Sequence, residues 1–170
     1  MPFERINIRD IKESPVKRIA DDWALLSAGT AEQWNAMTVS WGGIGEIWGF
    51  DAAFVFVRPQ RYTKEFIDAS PYFTLSFFGE RKGAAQEILS LCGKKSGRDC
   101  DKMAEAGLTP QCEGAAVWPK EAELALICRK AAAQVLDPKG FIDARIAGNY
   151  SDRDYHTMYV GEILRVCQKT

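Results

Sequence analysis

A mainly antiparallel β-barrel with added helices is the fold class this sequence predicts, and three observations carry it. Runs in which apolar and polar residues alternate with a period of two dominate the chain. They follow one another without the regular strand–helix–strand alternation of a parallel sheet. The helical stretches between them are short. At 170 residues the chain is long enough to bury a full core, and no repeat, low-complexity tract or linker divides it, so one domain over 1–170 is expected.

The first strands, 23–29 and 34–41, read as a hairpin around Thr30-Ala31-Glu32. In the second, small residues (Ala36, Thr38, Ser40) alternate with large apolar ones (Met37, Val39, Trp41), so hydrogen-bonding groups sit beside indole surface. Gly43-Ile44-Gly45-Glu46-Ile47-Trp48-Gly49 has the spacing GxGxxxG and leads into a strand, not a helix. It lacks what a dinucleotide fingerprint needs and is expected to be a flexible loop over a site. Residues 52–58 are short, apolar and β-branched, consistent with a strand buried on both faces.

That strand ends in Arg58-Pro59-Gln60-Arg61-Tyr62-Thr63. An arginine at a strand end is commonly a solvated edge. Here the apolar strand brings Arg58 out at the rim of a core, Pro59 fixes the turn, and a helix over 62–69 follows with Thr63 as its N-cap. Free N–H groups at that helix start, with two guanidinium groups and a hydroxyl, would suit a phosphate monoester.

A strand over 72–78 is rich in aromatics, and a helix over 83–91 carries Ala85, Ile88, Leu89 and Leu91 at helical spacing. Ser96-Gly97-Arg98-Asp99 fits a capping pattern and predicts a helix over 99–106, stopped by Gly107 with Pro110 beyond. Between these helices residues 92–102 gather glycines and cations. Gly93-Lys94-Lys95-Ser96 is no P-loop, because no glycine lies five positions earlier and a helix precedes it. A solvated charge run is the ordinary reading of this loop; delivery of Lys95 or backbone N–H groups to an anionic ring edge is the sharper one. Strands over 121–136 and 156–168 close the chain. His156 opens the last of them, facing the same side as Met158 and Val160, after a polar loop that leaves a rim position open to it.

Composition excludes several classes. A net charge of −1 gives no general attraction to nucleic acid or an anionic membrane, so any anion must be held by a local cluster. No apolar run approaches a membrane span, and the N-terminus has no apolar leader, so a cytoplasmic address is expected. The five cysteines are widely spaced without a CxxC pair, which argues against a disulfide framework or a zinc site. A single histidine removes multi-histidine metal sites.

Five short motifs then resemble one family: Asn-x-Met-Thr-x-Ser-Trp at 35–41, Arg-Pro-x-Arg-Tyr-Thr at 58–63, Leu-Ser-Phe-Phe at 75–78, Cys-Gly-x-x-Ser-Gly-Arg-Asp at 92–99 and His-x-x-x-x-Gly-Glu-Ile at 156–163. Each is short, but together and in order they resemble the flavin reductase-like proteins with an FMN-binding split barrel, including the flavoredoxins. The resemblance implies an antiparallel Greek-key split β-barrel and a homodimer with FMN near the subunit interface. It carries Asn35, Thr38, Ser40 and Trp41 over as contacts to the flavin ring and ribityl chain, with Met37 and Val39 in the same strand. Arg58, Arg61, Tyr62 and Thr63 fall where the family's phosphate site lies, and Ser76, Phe77, Lys95 and Ser96 as further lining. Where many flavin reductases carry Gly-Asp-His, this chain has Asp154-Tyr155-His156.

The implied function is an NAD(P)H-dependent flavin reductase that passes electrons from NADH or NADPH through FMN to free flavin, a metal centre or a partner protein. His156 is then the candidate catalytic residue. A flavoredoxin-type electron carrier with no productive nicotinamide site is the alternative. A split-barrel oxidase of a B6 vitamer, or a haem binder, fits the motif order less well.

Overall fold

In a computed structural model that describes residues 2–170, the strands are β1 (Phe3–Ile6), β2 (Ala24–Gly29), β3 (Trp34–Val39), β4 (Gly42–Ile47), β5 (Phe50–Val57), β6 (Tyr72–Phe77), β7 (Pro110–Glu113), β8 (Ala116–Pro119), β9 (Leu124–Val135) and β10 (Thr157–Lys169). The α-helices are α1 (Thr63–Ala69), α2 (Gly83–Lys94) and α3 (Lys102–Glu105). None of the described helices is long and apolar enough to cross a membrane.

All the strand pairs are antiparallel, and the main sheet runs β3-β2-β6-β9-β10-β5-β4. Its backbone is the long β9–β10 pair; the far edge of β10 is shared between β5 at its start and β1 at its end. The outermost strands β3 and β4 are consecutive in the chain, joined only by Ser40 and Trp41. No ladder joins them, so the sheet is split at that link, and the split positions the site described below. The expectation of a mainly antiparallel sheet with added helices holds.

Period-two alternation sends successive residues to opposite faces, and here both faces are covered. Leu26, Met37, Val39, Val55, Phe73, Leu75, Phe77, Leu126 and Tyr159 point into the barrel, with Ile67 of α1 packed among them. On the outer face Leu25 and Ala36 pack beneath Leu89 and Cys92 of α2 and Met103 of α3. The β7–β8 hairpin covers Ala125, Ile127 and Cys167 with Trp118. It is tied down by the hydroxyls of Ser27 and Thr74, which lie 2.6 Å apart and 3.0 and 2.7 Å from the Val117 carbonyl, one donating to that oxygen and the other to its neighbouring hydroxyl. At Gly161 a Cβ would lie 2.4 Å from the Phe73 ring, so the bulge in β10 accommodates that ring only with glycine there.

Several expectations change. The glycine-rich stretch is strand β4, closed by a two-residue turn in which Trp48 and Gly49 both have positive φ (55° and 81°). Gly42, at the start of that strand, serves packing: a Cβ there would meet the Phe54 carbonyl at 2.4 Å. Helix α1 has Tyr62, not Thr63, at its N-cap position, without a side-chain cap. The amides expected to be free there are partly used, Lys64 and Glu65 donating to the carbonyls of Arg61 and Tyr62 at 3.0 and 3.1 Å. The third helix begins at Lys102, capped by the Asp101 carboxylate on the Ala104 amide, because Ser96 instead accepts from the Arg98 amide and holds the loop in a turn.

Candidate functional site

The link between β3 and β4 opens onto a cleft of about 360 Å³, within the size range of small-molecule sites. Met37, Thr38 and Val39 come from the end of β3, Ser40 and Trp41 from the link, and Phe56 from β5. Arg58 and Arg61 follow β5, Gly93 closes α2, His156 precedes β10, and Trp23 precedes β2. Trp41 is 45% exposed, a large apolar side chain left standing at the mouth. Its ring lies 5.1 Å from that of His156.

The two arginines are used differently. Arg58 donates to the Asp154 carboxylate and, at 3.0 Å, to the Asn149 carbonyl, and its guanidinium lies 5.3 Å over the Tyr150 ring. Gln60 donates to the same carboxylate at 2.7 Å. The Gln60 and Arg58 hydrogen bonds hold Asp154 below the usual carboxylate range. Arg61 instead donates to the Gly93 and Cys92 carbonyls at 3.0 and 3.4 Å, capping the C-terminal end of α2. His156 is 7% exposed, and burial, reinforced by Arg58, pushes its pKa down to about 4. It is therefore a neutral imidazole at physiological pH.

Beyond Arg61 lies a second, polar basin of about 520 Å³, lined by Trp34, Asn35, Tyr62, Gly97, Arg98 and Lys102 among others. Gly97 lets the loop close on it, since a Cβ there would lie 2.5 Å from Asn35 Oδ1. Lys102 is 3% exposed as a residue; its ammonium makes no hydrogen bond or ion pair among the described residues but is not sealed from solvent, opening on a basin that Glu32, Asp99 and Asp101 also line. Burial, with Arg61 as a nearby like charge, lowers its pKa. The adjacent Cys92 supplies no counter-charge, because burial pushes its thiol up to about 11.

Of the residues expected at the site, the cleft brings together Met37, Thr38, Val39, Ser40, Trp41, Arg58, Arg61 and His156. The Thr38 hydroxyl is committed to the Leu89 carbonyl of α2. Asn35 and Tyr62 line the basin instead, Tyr62 lying edge-on to Phe66 and beneath the Arg98 guanidinium. Thr63 is buried behind them, its hydroxyl accepting from Asn35 Nδ2 at 2.8 Å, so it reaches neither space directly.

Four residues expected as further lining sit outside both spaces in this structure. Phe77 lies in the barrel core and Ser76 is fully buried in the same strand, because both belong to the interior of the central sheet. Lys95 is drawn away into an ion pair with Glu105 and lines a groove on α2, and Ser96 is spent on the loop turn. The sequence reading missed Lys102, whose place between Asp101 and Met103 reads as one more member of a solvated charge run. It also passed over Trp23 and Phe56, which carry no signal beyond their strands, and read Gly93 as part of a motif without assigning it to the lining.

Comparison with known proteins agrees with this architecture. The flavin reductase like domain matches residues 16–170. No curated protein matches the sequence. Among solved structures, flavoredoxin from Methanosarcina acetivorans is similar at 21% identity and TM-score 0.68, over 98% of this chain and 76% of that one. An FMN-binding domain of a flavin reductases-like enzyme from Shewanella baltica OS155 is similar at 15% identity and TM-score 0.67, over 98% and 76%. Flavoredoxin of Desulfovibrio vulgaris (Miyazaki F) shares 20% identity at TM-score 0.66, over 98% and 77%. These likenesses establish the fold, and the domain match, which spans nearly the whole chain, establishes that this protein belongs to the flavin reductase-like family.

Proposed function

We propose that this chain binds FMN across the cleft and the basin, and works as an NAD(P)H-dependent flavin reductase that hands electrons to free flavin, a metal centre or a partner protein. One observation carries the proposal: an aromatic-walled cleft holds Arg58 and Arg61, and Arg61 lies close enough to the largely covered Lys102 of the basin to act on its charge. A ligand flat and aromatic at one end and anionic at the other suits both at once. The family match supports a flavin as that ligand.

The flavin, when bound, would supply the two-electron chemistry, and the protein supplies position and field. Met37, Val39 and Trp41 offer apolar surface to a planar ring, and Ser40 a hydroxyl to its edge. Lys102 and Arg61 would hold the anionic end, where a phosphate would give the Lys102 ammonium the charged partner it lacks among the described residues. Arg58 holds Asp154 and the loop that carries Tyr150 against the barrel. His156, neutral at working pH, serves as an orienting hydrogen-bonding group at the rim and not as an acid. A second copy of the chain is proposed to complete the cleft mouth, where Trp41 stands exposed.

The carrier reading keeps one observation on its side: the sole histidine at the cleft is held neutral, so it offers no acidic imidazolium proton at physiological pH. Anaerobic titration separates the two. Protein loaded with FMN is mixed with NADH or NADPH and the flavin absorbance followed. Bleaching that saturates with nicotinamide supports the reductase; stoichiometric FMN left unreduced by either nucleotide supports the carrier. Failure to bind FMN at all sinks both.

A further inference from the structure

We infer that Tyr150 is a positioning residue that fixes the His156 imidazole in its Nε2–H tautomer and thereby presents one hydrogen-bond donor to the cleft. The observation is a buried pair: the Tyr150 hydroxyl lies 2.8 Å from His156 Nδ1, with the tyrosine 6% and the histidine 7% exposed.

The direction of that bond follows from what each group has left. Tyr150 Oη has no other hydrogen-bond partner among the described residues, so its proton has Nδ1 as its one acceptor. Were Nδ1 the donor, the buried hydroxyl proton would be orphaned, a cost the opposite orientation avoids. Tyr150 therefore donates, Nδ1 accepts, and the ring proton sits on Nε2. His156 lines the cleft, so the remaining nitrogen is the one a bound molecule can meet.

The surroundings hold this state from every side. Trp41, from the β3–β4 link, packs on the imidazole at 5.1 Å. Phe141 stacks on the Tyr150 ring at 5.6 Å and 20°, and Tyr155 meets it at 5.1 Å, so the tyrosine is clamped within the segment between β9 and β10. The charged groups facing the imidazole are Arg58, after β5, and Asp154, in that segment, and they are paired to each other. A cation paired beside it and little water around it leave the ring no reason to take a second proton. The donor is thus present over the whole neutral range.

The tautomer stands or falls without any ligand; only the claim about what the donor meets rests on the proposed flavin cleft. His156 is the single histidine of the chain, so ¹⁵N-histidine labelling reports it alone. In the wild type a pyrrole-type nitrogen shift at Nε2 and a pyridine-type shift at Nδ1 are expected at neutral pH. Tyr150→Phe, which keeps the stacked ring, should move the tautomer ratio several-fold toward Nδ1–H. A wild-type ring protonated at Nδ1, or a ratio unchanged in a folded Tyr150→Phe protein, overturns the assignment. Should the variant fail to fold, a coupling across the hydrogen bond from the Tyr150 hydroxyl proton to Nδ1 in the wild type supports the assignment, and its absence overturns it. FMN added to the labelled wild type, with binding followed by flavin fluorescence, should move Nε2 more than Nδ1. Bound FMN that leaves Nε2 unmoved overturns the donor's role, whereas FMN that does not bind counts against the flavin reading and leaves the tautomer result standing.

Discussion

The cleft and the basin bury ionisable groups in opposite ways. In the cleft every charge has a partner: Arg58 with Asp154, Arg61 with the α2 carbonyls, and a histidine kept neutral beside Tyr150. In the basin Lys102 is largely covered and has no hydrogen-bond or ion-pair partner among the described residues, its ammonium meeting solvent in a space that Glu32, Asp99 and Asp101 also line. A self-satisfied region is built for rigidity and an unsatisfied one for a ligand, because an unpaired buried charge costs free energy until something arrives to compensate it. In the proposed reading, the difference shifts the anion-binding role within and beyond the Arg58–Thr63 turn, from Arg58 and Thr63 toward Arg61 and Lys102.

The sharpest break of that comparison is Lys102→Met. Charge-assisted hydrogen bonds contribute roughly 1.5–3 kcal/mol each, so FMN affinity should fall by about ten- to a hundredfold. Riboflavin, which lacks the phosphate, should lose far less. The ligand-free variant should melt no lower than wild type, because no hydrogen bond or ion pair among the described residues is lost. A variant that melts lower and binds both flavins equally worse would mean Lys102 is structural.

In the cleft, His156 carries the matching test in acid. Its folded pKa of about 4 lies below the unfolded value, so the unfolded chain binds more protons between roughly pH 6.5 and 4. Its contribution is complete above about pH 6.5 and is lost as pH falls toward 4, amounting to about 2–3 kcal/mol. Denaturant melts of His156→Asn and wild type should therefore differ less at pH 4 than at pH 7. A constant difference would show that the imidazole is not held neutral.

Next come the two arginines. Arg61→Ala should weaken FMN by about tenfold, the size of one charge-assisted contact. Arg58→Ala should change FMN affinity little and instead raise protease cutting between β9 and β10, since the partners it loses, Asn149, Tyr150 and Asp154, lie there. Equal losses of FMN affinity would erase the distinction between the regions. A smaller effect sharpens it: with a depressed pKa, Lys102 should lose its proton in the alkaline range, so FMN affinity should decline there in wild type. Lys102→Arg should flatten the decline, because a guanidinium stays protonated. Calorimetry across that range reads the slope.

Much of this molecule is legible along the chain. The alternation in Trp34–Val39 and the apolar run into Arg58 both appear as strands, and α2 forms where its apolar spacing puts it, with one further turn to Lys94. What stays hidden are elements whose local signal is weak or misleading. β4 is rich in glycine and reads as a loop; pairing with β5 and room for Phe54 make it a strand. β1, β7 and β8 are four residues each, too short for a period to register. At the site, the cleft side of Met37–Trp41 is visible as a pattern, yet Thr38, Thr63 and Lys95 turn out to be occupied by Leu89, Asn35 and Glu105.

The sequence by itself determined the antiparallel class, the strand that walls the cleft and the family motifs, because these rest on local periodicity and on residue types at short spacing. Only the tertiary structure decided which polar groups are free. Whether a lysine is solvated or stranded, and whether an arginine is open or capped, depends on neighbours far away in the chain: Gly97 closing over Asn35, Asp154 reaching Arg58 and α2 ending at Arg61. A hydrogen bond or an ion pair is a property of two groups and the water between them, and linear order fixes neither.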